Sequence, residues 1–199
     1  MPPLNHAVLS ASSAYRWLEC PPSALATADI PDETTIYAQE GSAAHEMAEY
    51  KIRWHLGAKD LAPPNVGNFN AEEIDRYTDS YAYYATDKIE TIRKICPDAI
   101  VMVEQRLDFS NYVKDGFGTG DLVIVADDVL QVIDFKYGKG VTVSAELNPQ
   151  MMLYALGALN LYGYLYDIKT VKTAIVQDLI IFPNGRFLLM NFWNGRRIH

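Results

Sequence analysis

Cysteine is nearly missing from this chain of 199 residues, which has only Cys20 and Cys96. Two thiols cannot build a disulfide framework, so a reducing cytoplasm is the expected home. No apolar run approaches the ~20 residues a membrane span needs, and no membrane association is expected. The opening MPPLNHAVLS has no basic stretch followed by an apolar one, so no secretory leader is expected. Positive charge is scarce too: 17 Lys and Arg face 25 Asp and Glu, a net charge of −8. That balance excludes a protein that coats nucleic acid by neutralising phosphates. It does not exclude an enzyme in which a metal ion and a few local cations meet the phosphate. No internal repeat or low-complexity tract is present.

What is there suits one domain with its own core, since 49% of residues are hydrophobic and 21% charged, and the order of helices, three strands, helix and strand read along the chain makes it a mixed α/β one. Residues 10–20 read as a short helix capped by Ser10 and stopped by Pro21 and Pro22. An acidic loop follows at 29–33. Residues 36–56 read as a helix interrupted near Gly41, with His45 and Glu49 four apart on one face. Residues 70–95 form the clearest helix, opened by Asn70 with Glu73 as a capping box. Its stripe of Ile74, Tyr77, Tyr81, Tyr84, Ile89, Ile92 and Ile95 suits a base-stacking surface or a core face, and the periodicity favours the core. Residues 99–109 alternate like a strand, with Val101, Val103, Leu107 and Phe109 on one face and Glu104 and Arg106 on the other. Asn148 and Pro149 open a further helix that reaches about Tyr162, and residues 171–182 read as a last strand. The expected division is a mainly helical part at 1–97, a sheet core at 98–182 and an atypical tail at 183–199.

The stretch GTGDLVIVADDVLQVIDFK, residues 118–136, carries the chemistry. It reads as two strands joined by an Asp-Asp turn, with Asp121 early on the first and Asp134 late on the second. Asp134 and Lys136 are two apart and share a face. Two acids and a lysine on an apolar hairpin are costly to bury without a purpose. Magnesium supplies one, because it takes hard oxygen ligands and needs only one or two carboxylates. Asp121, Asp134 and the Phe135 carbonyl are the candidate oxygens. Lys136 is placed to position the attacking water. The plain alternative is a surface Asp–Lys pair of little value.

With the helix that opens Gln150-Met151-Met152-Leu153-Tyr154, this order resembles the PD-(D/E)XK nuclease superfamily, in its RecB-like exonuclease branch. It also resembles a phage and prophage subgroup sharing the phrases FGTGD, IDFKYGKG and NPQMMLYALGAL. The resemblance covers roughly residues 10–162. It implies a restriction-endonuclease-like core, a mixed central sheet flanked by helices with a helical N-terminal portion. It implies that Asp121 and Asp134 ligate Mg2+ or Mn2+, that His45 adds a ligand, and that Lys136 assists the nucleophilic water. Gln150 and Tyr154 would line the cleft and contact DNA or the lysine. Glu104 is a further candidate near the ion, and Lys139 and Arg106 are candidate phosphate contacts.

The implied activity is a metal-dependent DNA nuclease, an exonuclease by family, acting in phage DNA recombination or processing in the bacterial cytoplasm. The implied partners are DNA and a phage recombination or single-strand-annealing protein. A catalytically weak accessory protein of the same fold is the alternative, and a metal hydrolase acting on nucleotides is a third. Several members of the branch hold an iron–sulfur cluster, and Cys20 takes the place of its first ligand. With Cys96 the only other thiol, no such cluster is expected in this chain. After about Gln177 the sequence departs from the subgroup, which suggests a truncated or frame-shifted end. Its apolar tail suits an extra strand or an oligomer contact.

Overall fold

The computed structural model describes residues 7–26, 35–138, 140–177 and 180–188, the last segment by backbone alone. The acidic loop expected at 29–33, Lys139 and the chain past 188 lie outside the described residues. In order, the elements are α1 Ala14–Glu19, α2 Pro22–Ala26, α3 Ile36–His55, α4 Ala71–Ile95, β1 Ile100–Asp108, β2 Phe117–Ala126, β3 Val129–Lys136, α5 Pro149–Tyr162, β4 Thr170–Gln177 and β5 Ile180–Leu188. The strands make one five-stranded sheet in the order β1-β2-β3-β4-β5. β1, β2 and β3 form an antiparallel meander, β4 runs parallel to β3, and β5 returns antiparallel. α5 links the two parallel strands, as such a pair requires a crossover. The fold is therefore a mixed α/β one, with a mixed sheet flanked by helices.

Each face of the sheet has its own core. Ala44, Ala48 and Ile52 of α3 and Ile74, Tyr77, Tyr81, Ala85 and Ile89 of α4 bury Leu122, Ile124, Ile133 and Phe135. On the opposite face, Trp17 of α1 and Met151, Tyr154, Ala155 and Ala158 of α5 cover Leu107, Val123, Leu130 and Val132. The hairpin strands are thus apolar on both faces, as sheet centres covered twice must be.

Local chemistry sets most helix ends. Asn70 Oδ1 accepts from Glu73 N at 3.2 Å and Asn148 Oδ1 from Met151 N at 3.2 Å, with Pro149 at the first helical position. The tyrosine stripe of α4 is a core face: Ile74, Tyr77, Tyr81 and Ile89 are buried, while Ile95 in the last turn is 80% exposed. Two boundaries differ from expectation. The regular turns of α1 begin after Ser13, which makes no side-chain cap bond, while Ser10 Oγ accepts from Ser13 N at 3.3 Å in the turn before it. α3 runs unbroken through Gly41, since the Thr35 cap and strong helix formers outweigh one glycine.

The strands differ in two places. Val101 and Val103 pack toward α3 and α4, but Leu107 and Phe109 pack toward α5, so they do not share a face. The alternation breaks at Glu104, whose φ is +53°. The single strand expected at 171–182 is two strands, β4 and β5, whose ladder runs from Thr170↔Leu188 to Gln177↔Ile180. Two apolar runs joined by two residues without glycine or asparagine look continuous in sequence. β5 therefore crosses the boundary expected at 182/183. The extra strand expected of the tail is present, and Pro183 sits where an edge strand tolerates it, beside a register shift.

Two glycines in helices separate propensity from packing. A Cβ on Gly41 meets nothing within 4 Å. Gly41→Ala is expected to raise stability by about 0.5–1 kcal/mol. A Cβ on Gly157 lands 2.9 Å from Leu107 Cβ and 3.2 Å from its carbonyl carbon, so α5 is pressed against the β1 backbone there. Gly157→Ala is expected to lose about 1–3 kcal/mol despite the better propensity. Urea unfolding midpoints of the two variants should move in opposite directions.

Candidate functional site

The site begins where β2 and β3 stop pairing. Their ladder ends at Leu122↔Ile133, after which β2 continues against β1 and β3 against β4. Asp121 is the first residue past the fork. Its Oδ2 accepts from Phe135 N at 2.6 Å, so a carboxylate takes the N–H that a ladder bond would otherwise use. Its Oδ1 lies 3.4 Å from Nδ1 of His45 on α3. The His45 ring packs on Phe135 with centroids 5.3 Å apart, and Tyr81 of α4 stacks on the same ring at 4.9 Å. Phe135, between Asp134 and Lys136 in sequence, is thus an apolar floor for the polar groups.

Glu104 completes a compact group. Ligand-type atoms of His45, Glu104 and Asp121 all lie within 4.8 Å of one another. In an evenly alternating strand, successive side chains take opposite faces. Here Val103 packs toward α3 and α4, and Glu104 also reaches His45 on that side. Burial, and then the neighbouring Asp121 charge, push the Glu104 carboxyl up to about 7, against the pull of His45 and Arg53. Burial alone would lower the His45 pKa, but Asp121, Asp134 and Glu104 outweigh it and the net direction is up.

Asp134 and Lys136 stand beside this group on β3. Asp134 is 2% exposed, and burial is the main cause of its raised pKa, with Lys136 opposing and Asp121 reinforcing. Its Oδ1 accepts from Gln150 Nε2 at 3.2 Å. Its Oδ2 is 2.9 Å from Lys136 Nζ, an ion-pair distance. Lys136 Nζ also donates to Gln150 Oε1 at 3.0 Å. Gln150 Nε2 also lies 3.2 Å from Tyr154 Oη. The Tyr154 ring fits because Gly118 leaves room, where a Cβ would fall 2.8 Å from Tyr154 Cε1.

The structure therefore brings together His45, Glu104 and Asp121 in one group, and Asp134, Lys136, Gln150 and Tyr154 in an adjoining one. Asp134 lies outside the compact trio, and Phe135 meets Asp121 through its N–H. Glu104, given the polar face of β1 by alternation, is turned in by its backbone. Arg106 lies over the Phe117 ring at 3.7 Å, a cation–π contact. Arg53 carries no sequence motif, yet its Nη2 donates to the Val103 carbonyl at 2.9 Å, next to Glu104. Cys20 is exposed and Cys96 buried, and two thiols cannot supply the four of an ordinary iron–sulfur cluster.

The donor set fits a metal ion. One imidazole and neighbouring carboxylates crowd together, with less positive than negative charge among the described residues. A cation would relieve the repulsion that raises the carboxyl pKa values. Oxygen donors with one imidazole suit a hard or borderline divalent ion rather than a thiophilic one.

Residues 6–180 match the family model described as protein of unknown function, DUF2800, so the chain belongs to that family. No solved structure matches it.

The raised carboxyls give the metal-free protein a definite pH response. Glu104 and Asp134 are harder to ionise folded than unfolded. The stability they confer is whole below their unfolded pKa values and is lost as pH rises through the folded ones. In chelator, Glu104→Gln should gain on wild type between pH 4.5 and about 7, read as the difference in urea midpoint. Parallel pH profiles would contradict the assignment.

Proposed function

We propose that this DUF2800 protein is a metal-dependent deoxyribonuclease of the PD-(D/E)XK type, in the RecB-like branch. One observation carries the reading. A group of acids and an imidazole adjoins a lysine that lies 2.9 Å from Asp134 and donates to Gln150 at 3.0 Å. A surface Asp–Lys pair needs neither the burial nor the glutamine. His45, Glu104 and Asp121 would hold Mg2+ or Mn2+, with Asp134 at the edge of the group. When bound, such an ion polarises a phosphate oxygen and makes water more acidic.

The chain's own residues supply the rest. Hydrolysis joins a water oxygen to phosphorus, breaks the bond to one ester oxygen, and passes the water's proton to the departing side. Lys136, fixed by Gln150 and Asp134, places a positive charge where the phosphate gains negative charge. Gln150 holds that ammonium in one orientation, and Tyr154 fixes Gln150. Asp121 keeps the fork of β2 and β3 in place through the Phe135 N–H, which sets the distance between the acid group and the lysine. Exonuclease action on phage DNA in a bacterial cytoplasm, beside a strand-annealing partner, is the biological setting the family resemblance suggests.

The test uses the full chain with linear and circular DNA, Mg2+ or Mn2+, and a Lys136→Ala variant. Lys136→Ala is expected to lose about 100-fold or more of the metal-dependent rate. Loss of linear DNA alone identifies an exonuclease. Equal inertness of wild type and variant, with DNA still bound, would replace the proposal with a non-catalytic accessory protein.

A further inference from the structure

Among the described residues, four non-glycine residues have positive φ: Glu104, Asp115, Asp127 and Leu147. Asp115, Asp127 and Leu147 lie in connections, whereas Glu104 alone lies inside a strand. A branchless acid gains nothing locally from the left-handed region, so the surrounding structure must hold it there. The ladder between β1 and β2 steps from Val103↔Leu122 to Gln105↔Gly120, with the Glu104 and Asp121 pair omitted. Both residues of that gap send their carboxylates toward His45.

The restraint comes from α3. Arg53 Nη2 donates to the Val103 carbonyl at 2.9 Å. That carbonyl belongs to the peptide joining Val103 to Glu104, whose rotation defines the Glu104 φ. Arg53 Nε donates to Glu49 Oε1 at 2.6 Å, which fixes the guanidinium plane. His45, Glu49 and Arg53 are successive i, i+4 neighbours on one face of α3. The side chains of Arg53 and Glu49 are 42% and 32% exposed, so their ion pair is poorly placed to stabilise the fold by itself. What the pair does well is orient a planar guanidinium, with Nε held by Glu49 and Nη2 aimed at one backbone oxygen.

We propose that the Glu49–Arg53 pair is a latch that holds the left-handed turn at Glu104 and so positions the Glu104 carboxylate as a metal ligand. Arg53 is a positioning residue here, acting through Glu104. One helix face then delivers both the His45 ligand and the restraint that delivers a second ligand from the sheet. Without the latch, the Val103–Glu104 peptide can return toward ordinary strand geometry, which turns the carboxylate away from His45. This inference rests on the metal-centre reading, though not on nuclease activity.

A double-mutant cycle tests it by Mn2+ titration calorimetry without DNA, on wild type, Arg53→Met, Glu104→Ala and the double variant. Arg53→Met keeps the apolar stem and removes the fork. It is expected to weaken Mn2+ binding about 10-fold, as the loss of a group that orients a ligand does. In the Glu104→Ala background the same change should cost nothing further, since the ligand it serves is gone. Arg53→Lys, which keeps charge without the planar fork, should also weaken binding and guards against a misfolded Met variant. A loss of equal size in both backgrounds would make Arg53 merely structural and overturn the proposal. Unchanged affinity in Arg53→Met would overturn it while leaving the metal centre standing. A wild type that binds no Mn2+ would overturn the latch and the metal centre together.

Discussion

The Asp121 carboxylate joins three parts of the molecule at one point. Where β2 and β3 separate, its Oδ2 takes the Phe135 N–H at 2.6 Å and its Oδ1 faces His45 at 3.4 Å. A buried backbone N–H must find an acceptor, and at a fork the neighbouring strand no longer offers one. A charged acceptor answers that need and at the same time makes the fork negative. The opening of the hairpin and the polarity of the site are therefore one feature. Phe135 then serves both sides, its N–H held by Asp121 and its ring sandwiched against His45 and Tyr81.

From that fork the carboxylates accumulate faster than cations. Asp121, Asp134 and Glu104 stand near one another, and among the described residues Lys136 pairs with Asp134 while Arg53 holds the Val103 carbonyl next to Glu104. Isolated buried charges of one sign are expensive, and a fold retains them where something binds. Two apolar cores on either face give the sheet the rigidity to hold such a group in place. The left-handed turn at Glu104 fits the same pattern, local strain kept by the packed structure around it.

Much of this was legible in the residues. Asn70 and Asn148 announce their helices through a cap that depends on one side-chain oxygen. Period two puts Asp134 and Lys136 on one face, and the i, i+4 spacing sets Gln150 against Tyr154. These are local rules and need no partner. Glu104 was harder, because strict alternation gives it the face opposite Val103, and a left-handed glutamate leaves no sequence mark. Arg53 was illegible for a related reason: its acceptor is a backbone oxygen 50 positions away, and any residue would offer that oxygen. The break between β4 and β5 was hidden by two apolar runs with no glycine between them. The family resemblance added an expected ligand role for His45 that spacing alone left open.

A divalent cation held by the group around the fork would be visible to X-rays. Anomalous diffraction from crystals of the protein grown with Mn2+ locates it directly. A single strong anomalous peak is expected among His45, Glu104 and Asp121, with its flank toward Asp134. A peak elsewhere, or no peak at Mn2+ concentrations that saturate ordinary carboxylate sites, would contradict it.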